Sequence, residues 1–375
     1  MILKTSNKKI DLTYLAIAIL AFLHGFVKIY VVNESEMLST CVKYIQYLDY
    51  GLLFACILRL GYSIKELLIQ FVLVIAGVIV LFTSGEALIM SVFLVLGACR
   101  NKNFKIILQN IFYGILISFF ISLILYFVGI SDPGNFTKGI DRINAISLGY
   151  THPNVCGEIF KTLILLYFAI KDKKFVIKDY IILVVTFLVN YIWIDCRTIA
   201  VEILLFPLFR FILIKVGKSK YAPKFNYVLV FLPLALFILV MWTTLNYNTA
   251  FSGILDILLN GRITLNNYNY YNLGVSIFGQ KVVLEKDYIL HNTIDCAYMV
   301  MLLQCGILGT ITFISGYMYA INKIIKNNKF TLLTAITIIL LSGVVENSML
   351  DIIISFPLIY ISRIKDGDSL VEDCH

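Results

Sequence analysis

Charge is scarce in this chain: Asp, Glu, Lys and Arg together make up 14% of its 375 residues, while 60% are hydrophobic. With a mean hydropathy of +0.88, that scarcity excludes an ordinary water-soluble domain, which has too little interior to hide so much apolar surface. None of the eight cysteines forms a Cys-x-x-Cys pair. Most lie within apolar runs or at their ends (Cys41, Cys56, Cys99, Cys156, Cys296, Cys305), where a thiol acts as a small hydrophobe, so neither a disulfide framework nor a metal site is expected. No internal repeat and no low-complexity segment stands out. No small-residue cleavage site follows the first apolar run, which comes after Lys4, Lys8 and Lys9, so it reads as a retained first span. The net charge of +8 is not read as a nucleic-acid footprint, because Lys and Arg excess in so apolar a chain marks cytoplasmic loops.

What the sequence does have is apolar runs of bilayer-crossing length along its whole extent. The expected fold is all-α: one polytopic transmembrane domain, 1–375, of about 12 helices near 12–32, 41–60, 66–83, 86–99, 106–130, 155–170, 179–195, 198–216, 227–244, 294–318, 330–346 and 349–362. Alternate connections carry the basic residues: Arg59 and Lys65; Arg100, Lys102 and Lys105; Lys171, Lys173, Lys174 and Lys178; Arg210, Lys215, Lys218, Lys220 and Lys224; Lys323, Lys326 and Lys329; Arg363 and Lys365. With the three N-terminal lysines, 22 of the 31 basic residues fall on one side. The positive-inside rule therefore predicts cytoplasmic termini in a multi-pass protein of the cell membrane. Two substantial loops remain outside, about 131–154 and about 245–293, the latter between the ninth and tenth spans. Chemistry or recognition is expected there.

The outer face is poor in basic residues, so its exceptions stand out: Arg142, Arg197, Arg262, His152 and His291. Arg197, in WIDCRTIA, sits between two apolar runs with almost no connection, at interface depth. It either lines a wet site or snorkels and pairs with Asp195. Phe251, Ile254, Leu255, Leu258 and Leu259 follow helical spacing, which predicts a short amphipathic surface helix over about 250–259. Asn260-Gly261 then reads as a helix stop that presents Arg262, either to a ligand or to a lipid headgroup. His291, with Asn292 and Asp295 beside it, enters the tenth span where a carboxylate can tune it as a proton acceptor; it can equally be a structural interface residue. In GYTHPN (149–154), proline keeps His152 out of helical geometry, and Pro153 suits the first turn of the sixth span. His152 is then near the cap, with Asn154 just inside. Lys161, within the sixth span, faces a wet cavity, snorkels, or marks a misplaced boundary. Tyr268 and Tyr270, in LNNYNYYN (265–272), can stack on sugars or belong to an interfacial aromatic belt.

Taken in order along the chain, four features resemble the bacterial polysaccharide polymerases of the Wzy type. These are a His-Pro-Asn entry to a middle span; Cys196-Arg197 at an outer span end, where Ser is common before the arginine; a large outer loop with Gly261-Arg262 and Phe278-Gly279; and His291-Asn292 before the next span. The resemblance covers about residues 100–320, and the O-antigen ligases share the last three features. It implies a GT-C-like membrane architecture and a glycosyltransferase that joins undecaprenyl-pyrophosphate-linked repeat units of O-antigen or capsule on the outer face of the bacterial cytoplasmic membrane. An acceptor hydroxyl attacks the anomeric carbon and the lipid pyrophosphate leaves. Arg197 and Arg262 would meet the charge on that leaving group, and His291 would take or orient the hydroxyl proton. Arg142, His152, Asn154, Asn292, Tyr268 and Tyr270 would shape the substrate pocket. No cofactor is implied. The only Asp-x-Asp, Asp366-Gly367-Asp368, falls in the expected cytoplasmic tail, so transfer is expected to be metal-independent. The bilayer, a flippase and a chain-length regulator are the partners such an enzyme would have. A ligase with a different acceptor, or a flippase-type transporter with charged midplane segments, are the rival readings.

Overall fold

A computed structural model of the chain describes residues 11–134, 145–217, 219, 222–282 and 294–363. The described residues form an all-helical molecule with no strand, apart from one isolated bridge between Ile29 and Tyr150. In chain order the helices are α1 (Leu12–Phe26), α2 (Tyr30–Glu34), α3 (Glu36–Arg59), α4 (Ile64–Ser84), α5 (Leu88–Ala98), α6 (Phe104–Phe127), α7 (Pro153–Lys171), α8 (Ile177–Leu188), α9 (Arg197–Gly217), α10 (Ala222–Val230), α11 (Leu232–Leu245), α12 (Ala250–Leu258), α13 (Arg262–Leu273), α14 (Ala297–Leu303), α15 (Gly306–Lys326) and α16 (Phe330–Ser342).

Four of these, α3, α4, α6 and α7, are singly long and apolar enough to cross a membrane. A fifth candidate is the pair α10 and α11, bent by 50° at Phe231, just before Pro233; a proline there lacks the amide that would continue the helix. The run at 198–216 forms the single 21-residue helix α9, while α1, α5 and α16 are shorter apolar helices. The run at 294–318 breaks at Gln304–Cys305, and the run at 349–362 folds into turns and a 3-10 segment, Phe356–Ser362, with Pro357 in its first turn. That non-helical backbone is held by the protein's own groups. The Tyr317 hydroxyl donates to the Met349 carbonyl (2.6 Å), the Ser355 hydroxyl to the same carbonyl (2.5 Å), and the Ile353 amide to Asp351 (2.8 Å). Irregular backbone in an apolar bundle survives only with such internal satisfaction.

The core sits around α14, α16 and the final turns, whose residues are buried nearly all round. Helices α1 and α6 pack along each other, α9 lies on α16, and α15 covers the 3-10 segment. The periphery is inverted relative to a soluble protein: Phe82 of α4 is 85% exposed and Ile177 of α8 80%. Apolar surface of that extent suits contact with lipid. Basic side chains collect at connections: Lys102 with Asp11 (2.5 Å), Arg100 with Glu66, Lys171 with Asp179 (2.5 Å) and Lys329 with Asp172 (3.0 Å).

Candidate functional site

The GYTHPN stretch is anchored before it enters α7. The Thr151 amide donates to the Lys28 carbonyl (3.0 Å), the Tyr30 amide to the Gly149 carbonyl (2.8 Å), and the Ser122 hydroxyl to the Leu148 carbonyl (2.8 Å). His152 is the N-cap of α7, with extended backbone, and its Nδ1 accepts from the Asn154 amide (3.1 Å). Pro153 occupies the first helical position, where the missing amide costs nothing. The cap so fixed points Asn154 along the helix start.

A single π-helical turn, Val189–Trp193, closes α8, and the three residues Ile194–Cys196 carry the chain into α9. Asp195 lies in the left-handed region (φ 51°). This geometry buries Cys196, whose thiol donates to Asn154 Oδ1 (3.6 Å). It also turns Arg197 outward. The Arg197 side chain is 50% exposed, bonds Asp195 through Nε (3.2 Å), and lies 5.6 Å from the Tyr191 ring.

Arg262 is delivered by two further elements. Helix α12 forms as its spacing predicts, with Phe251 edge-on to Trp242 and Ile257 80% exposed. Asn260 and Gly261 then stop it in the left-handed region (φ 53° and 78°). Asp256, on the polar side of α12, caps the next helix: its Oδ1 accepts from the Ile263 amide (2.7 Å) and its Oδ2 from the Thr264 hydroxyl (2.6 Å). Arg262, the first residue of α13, is thereby directed inward. Its Nε donates to the Val345 carbonyl (2.8 Å) and its NH2 to Glu346 Oε1 (3.3 Å), with Asp295 Oδ2 3.7 Å away.

Glu346 is where these pieces meet. Asn154 Nδ2 also donates to its Oε1 (3.3 Å), so Cys196, Asn154, Glu346 and Arg262 form one continuous line of side-chain contacts across the connection before α9, α7, the connection after α16, and α13. Glu346 is largely buried there, 16% of its side chain remaining open.

Deeper among the helices lies a second cluster. Lys161, only 1% exposed, donates to Glu158 Oε1 (2.9 Å), Glu202 Oε2 (2.9 Å) and Ser342 Oγ (2.6 Å). The Ser348 hydroxyl bonds Glu158. On α1, His24 Nδ1 meets Asp351 Oδ2 at 2.6 Å, and Lys28 Nζ lies 2.9 Å from His24 Nε2. Of the sequence readings for Lys161, snorkelling and a misplaced boundary are both overturned: the ammonium is fully enclosed by its own partners.

The structure thus brings His152, Asn154, Cys196 and Arg262 together. It does not join Arg197 to that line. Tyr268 is half-buried on α13, and Tyr270 packs against the hydrophobic core and edge-on to Tyr271. Arg142, His291 and Asn292 lie outside the described residues. Phe278-Gly279 crosses the break between α14 and α15: the Ile307 and Leu308 amides at the start of α15 donate to the Ser276 and Ile277 carbonyls (both 3.0 Å). Gly279 and Gly306, both at positive φ, touch there so closely that a Cβ on Gly306 would sit 2.3 Å from the Gly279 nitrogen. Sequence reasoning missed Glu346, Glu158, Glu202 and the His24–Asp351 pair. Glu158 and Lys161, three residues apart in one apolar run, are the local signal that was present.

The described residues form an all-helical protein with helices suited to a bilayer and one buried cluster of charged groups, Glu158, Lys161 and Glu202, among them. The chain matches no family model, no curated protein and no solved structure.

Proposed function

We propose that this chain is a polysaccharide polymerase of the bacterial cytoplasmic membrane, crossing it about 12 times with both termini in the cytoplasm. It joins undecaprenyl-pyrophosphate-linked repeat units on the outer face. The observation that carries this reading is the line Cys196–Asn154–Glu346–Arg262. It connects the His-Pro-Asn, Cys-Arg and Gly-Arg features, which lie far apart in sequence and together carry the resemblance to Wzy-type enzymes. Asp295, three residues past Asn292, reaches the same arginine.

The chemistry follows from charge. A departing pyrophosphate gathers negative charge, and a guanidinium held by backbone carbonyls meets it without reorganising. Arg262 is such a group. Arg197 at the bundle surface engages the same phosphates from the lipid side. Asn154 and His152 shape the sugar pocket, with Arg142, Tyr268 and Tyr270 contributing outer contacts, while His291 and Asn292 orient the acceptor hydroxyl. No metal is required, because the two guanidinium groups carry the charge stabilisation.

The test is a gel of surface polysaccharide from a strain lacking the chain, complemented with wild type or with Arg262→Ala. Single repeat units in place of a ladder, in both the deletion and the variant, with the variant present at normal membrane abundance, support the polymerase. A wild-type ladder in Arg262→Ala removes the arginine from the reaction. A ladder built on the carrier lipid but never handed on identifies a ligase. One observation favours a second reading, a transporter: Lys161 with two buried glutamates is a midplane charge cluster of the kind transporters use. Repeat units trapped on the inner leaflet of the deletion strain establish that reading instead.

A further inference from the structure

Glu346 has one oxygen committed and one free. Both of its hydrogen bonds, from Asn154 and from Arg262, go to Oε1. Oε2 accepts none from the described residues, and the side chain keeps 16% of its surface open. A carboxylate that existed only to neutralise Arg262 would face the guanidinium with both oxygens, as bidentate pairs do. Here the Arg262 fork is spent largely on backbone, on the Val345 and Leu259 carbonyls, and the carboxylate is left half-engaged beside it.

Resting on the polymerase reading above, we propose that Glu346 Oε2 is the proton acceptor for the attacking sugar hydroxyl. In that step the acceptor oxygen forms a bond to the anomeric carbon of the donor. The bond between that carbon and the phosphate oxygen breaks, and its electron pair leaves with undecaprenyl pyrophosphate. The hydroxyl proton passes to Oε2. Base and charge stabiliser must lie close, because attack and departure occur at one carbon, and Glu346 and Arg262 are in direct contact. Asn154, held by the His152 cap, fixes the carboxylate's Oε1 and so aims Oε2. Asn154 is therefore a positioning residue.

The groups that face Glu346 set its proton affinity: Glu158 and Lys161 from α7, Arg262 from α13 and Asp295 from the segment before α14. A carboxylate base works only in its ionised form, which is lost as pH falls. The rate then drops tenfold per unit on the acid side.

The experiment uses the full-length protein in detergent or proteoliposomes, with undecaprenyl-pyrophosphate-linked oligosaccharide isolated from the deletion strain as substrate. Chain growth is followed from pH 5.5 to 8.5 for wild type, Glu346→Gln and Glu346→Asp. Glu346→Gln keeps an oxygen for both donors but cannot take a proton. It is expected to lose about 100-fold or more in kcat, with KM within about threefold of wild type. Glu346→Asp keeps the base one methylene away, and is expected to retain part of kcat and a rate that falls in acid. A Glu346→Gln rate within threefold of wild type overturns this assignment and leaves the polymerase standing. If Glu346→Gln fails to accumulate, Glu346→Asp decides: a rate independent of pH on the acid side overturns the assignment, and an acid limb supports it. No chain growth by wild type overturns the polymerase reading and the assignment with it.

Discussion

Replacing Lys161 by Met would leave two carboxylates facing each other inside the bundle. In the intact protein the ammonium lies 2.6 Å from Glu158 and 2.9 Å from Glu202, with the Ser342 hydroxyl as a third partner at 2.6 Å. At an effective dielectric near 20, each contact between unit charges at such a separation is worth roughly 6 kcal/mol before desolvation. Removing the three ions from water costs several kcal/mol each, so the intact triad contributes little net stability. Deleting only the cation forfeits the attraction and keeps the carboxylate burial, so Lys161→Met is expected to cost about 3–5 kcal/mol. The assay is reversible unfolding of the purified protein in detergent micelles, alongside membrane abundance. The triple variant Glu158→Gln, Lys161→Met, Glu202→Gln removes all three charges at nearly constant volume and is expected to return to within about 2 kcal/mol of wild type. An unfolding free energy for Lys161→Met within about 1 kcal/mol of wild type would refute the reasoning, since the two glutamates would then have no need of the lysine.

Three further outcomes are expected. Arg197→Lys keeps the single contact with Asp195 but loses the planar fork, so membrane abundance should hold while chain growth falls about tenfold or more; unchanged growth reduces Arg197 to a surface anchor. His152→Ala removes the α7 cap and should lower stability by about 1 kcal/mol, with His152→Asn restoring it; a Tm equal to wild type for the alanine variant argues that the cap is inert. Gly306→Ala puts a Cβ 2.3 Å from the Gly279 nitrogen at a φ of +77° and should destabilise by about 2 kcal/mol or more, measured by the same unfolding assay; a neutral result means that the crossing at residues 276–280 yields easily.

Local signals carried the parts of the site that were legible in sequence. Pro153 fixed the start of α7, Asn260-Gly261 ended α12, and the apolar spacing of 251–259 outlined α12 itself, because each depends on residues within one or two turns. Glu346 was illegible for the opposite reason: its partners Asn154 and Arg262 are 192 and 84 residues away. Lys161 was misread for a related reason, since only Glu158 of its three partners is local. The break within 294–318 has no proline to announce it. The segment 276–280 fills that break through the amides of Ile307 and Leu308, a contact that only tertiary structure reveals. Tyr270 is partly buried, with one side against the core, a placement that the tyrosine-rich run alone does not specify. The count of about 12 spans assumed one straight helix per apolar run, whereas several runs here divide into shorter pieces.

The Lys161 triad also bears on how the protein comes to exist. While α7 is being inserted, Lys161 has only Glu158 for company; Glu202 is 41 residues further along the chain and Ser342 is 181. Helix α7 is long and apolar enough to cross a bilayer alone, but its two ionisable groups still cost about 2.5–3.5 kcal/mol each at the centre of a lone span. Helix α9, which carries Glu202, fails on its own as a membrane-crossing helix. Each therefore enters the bilayer most cheaply beside the other. The contacts that hold the finished cluster together are therefore complete only once α9 and then α16 have been made.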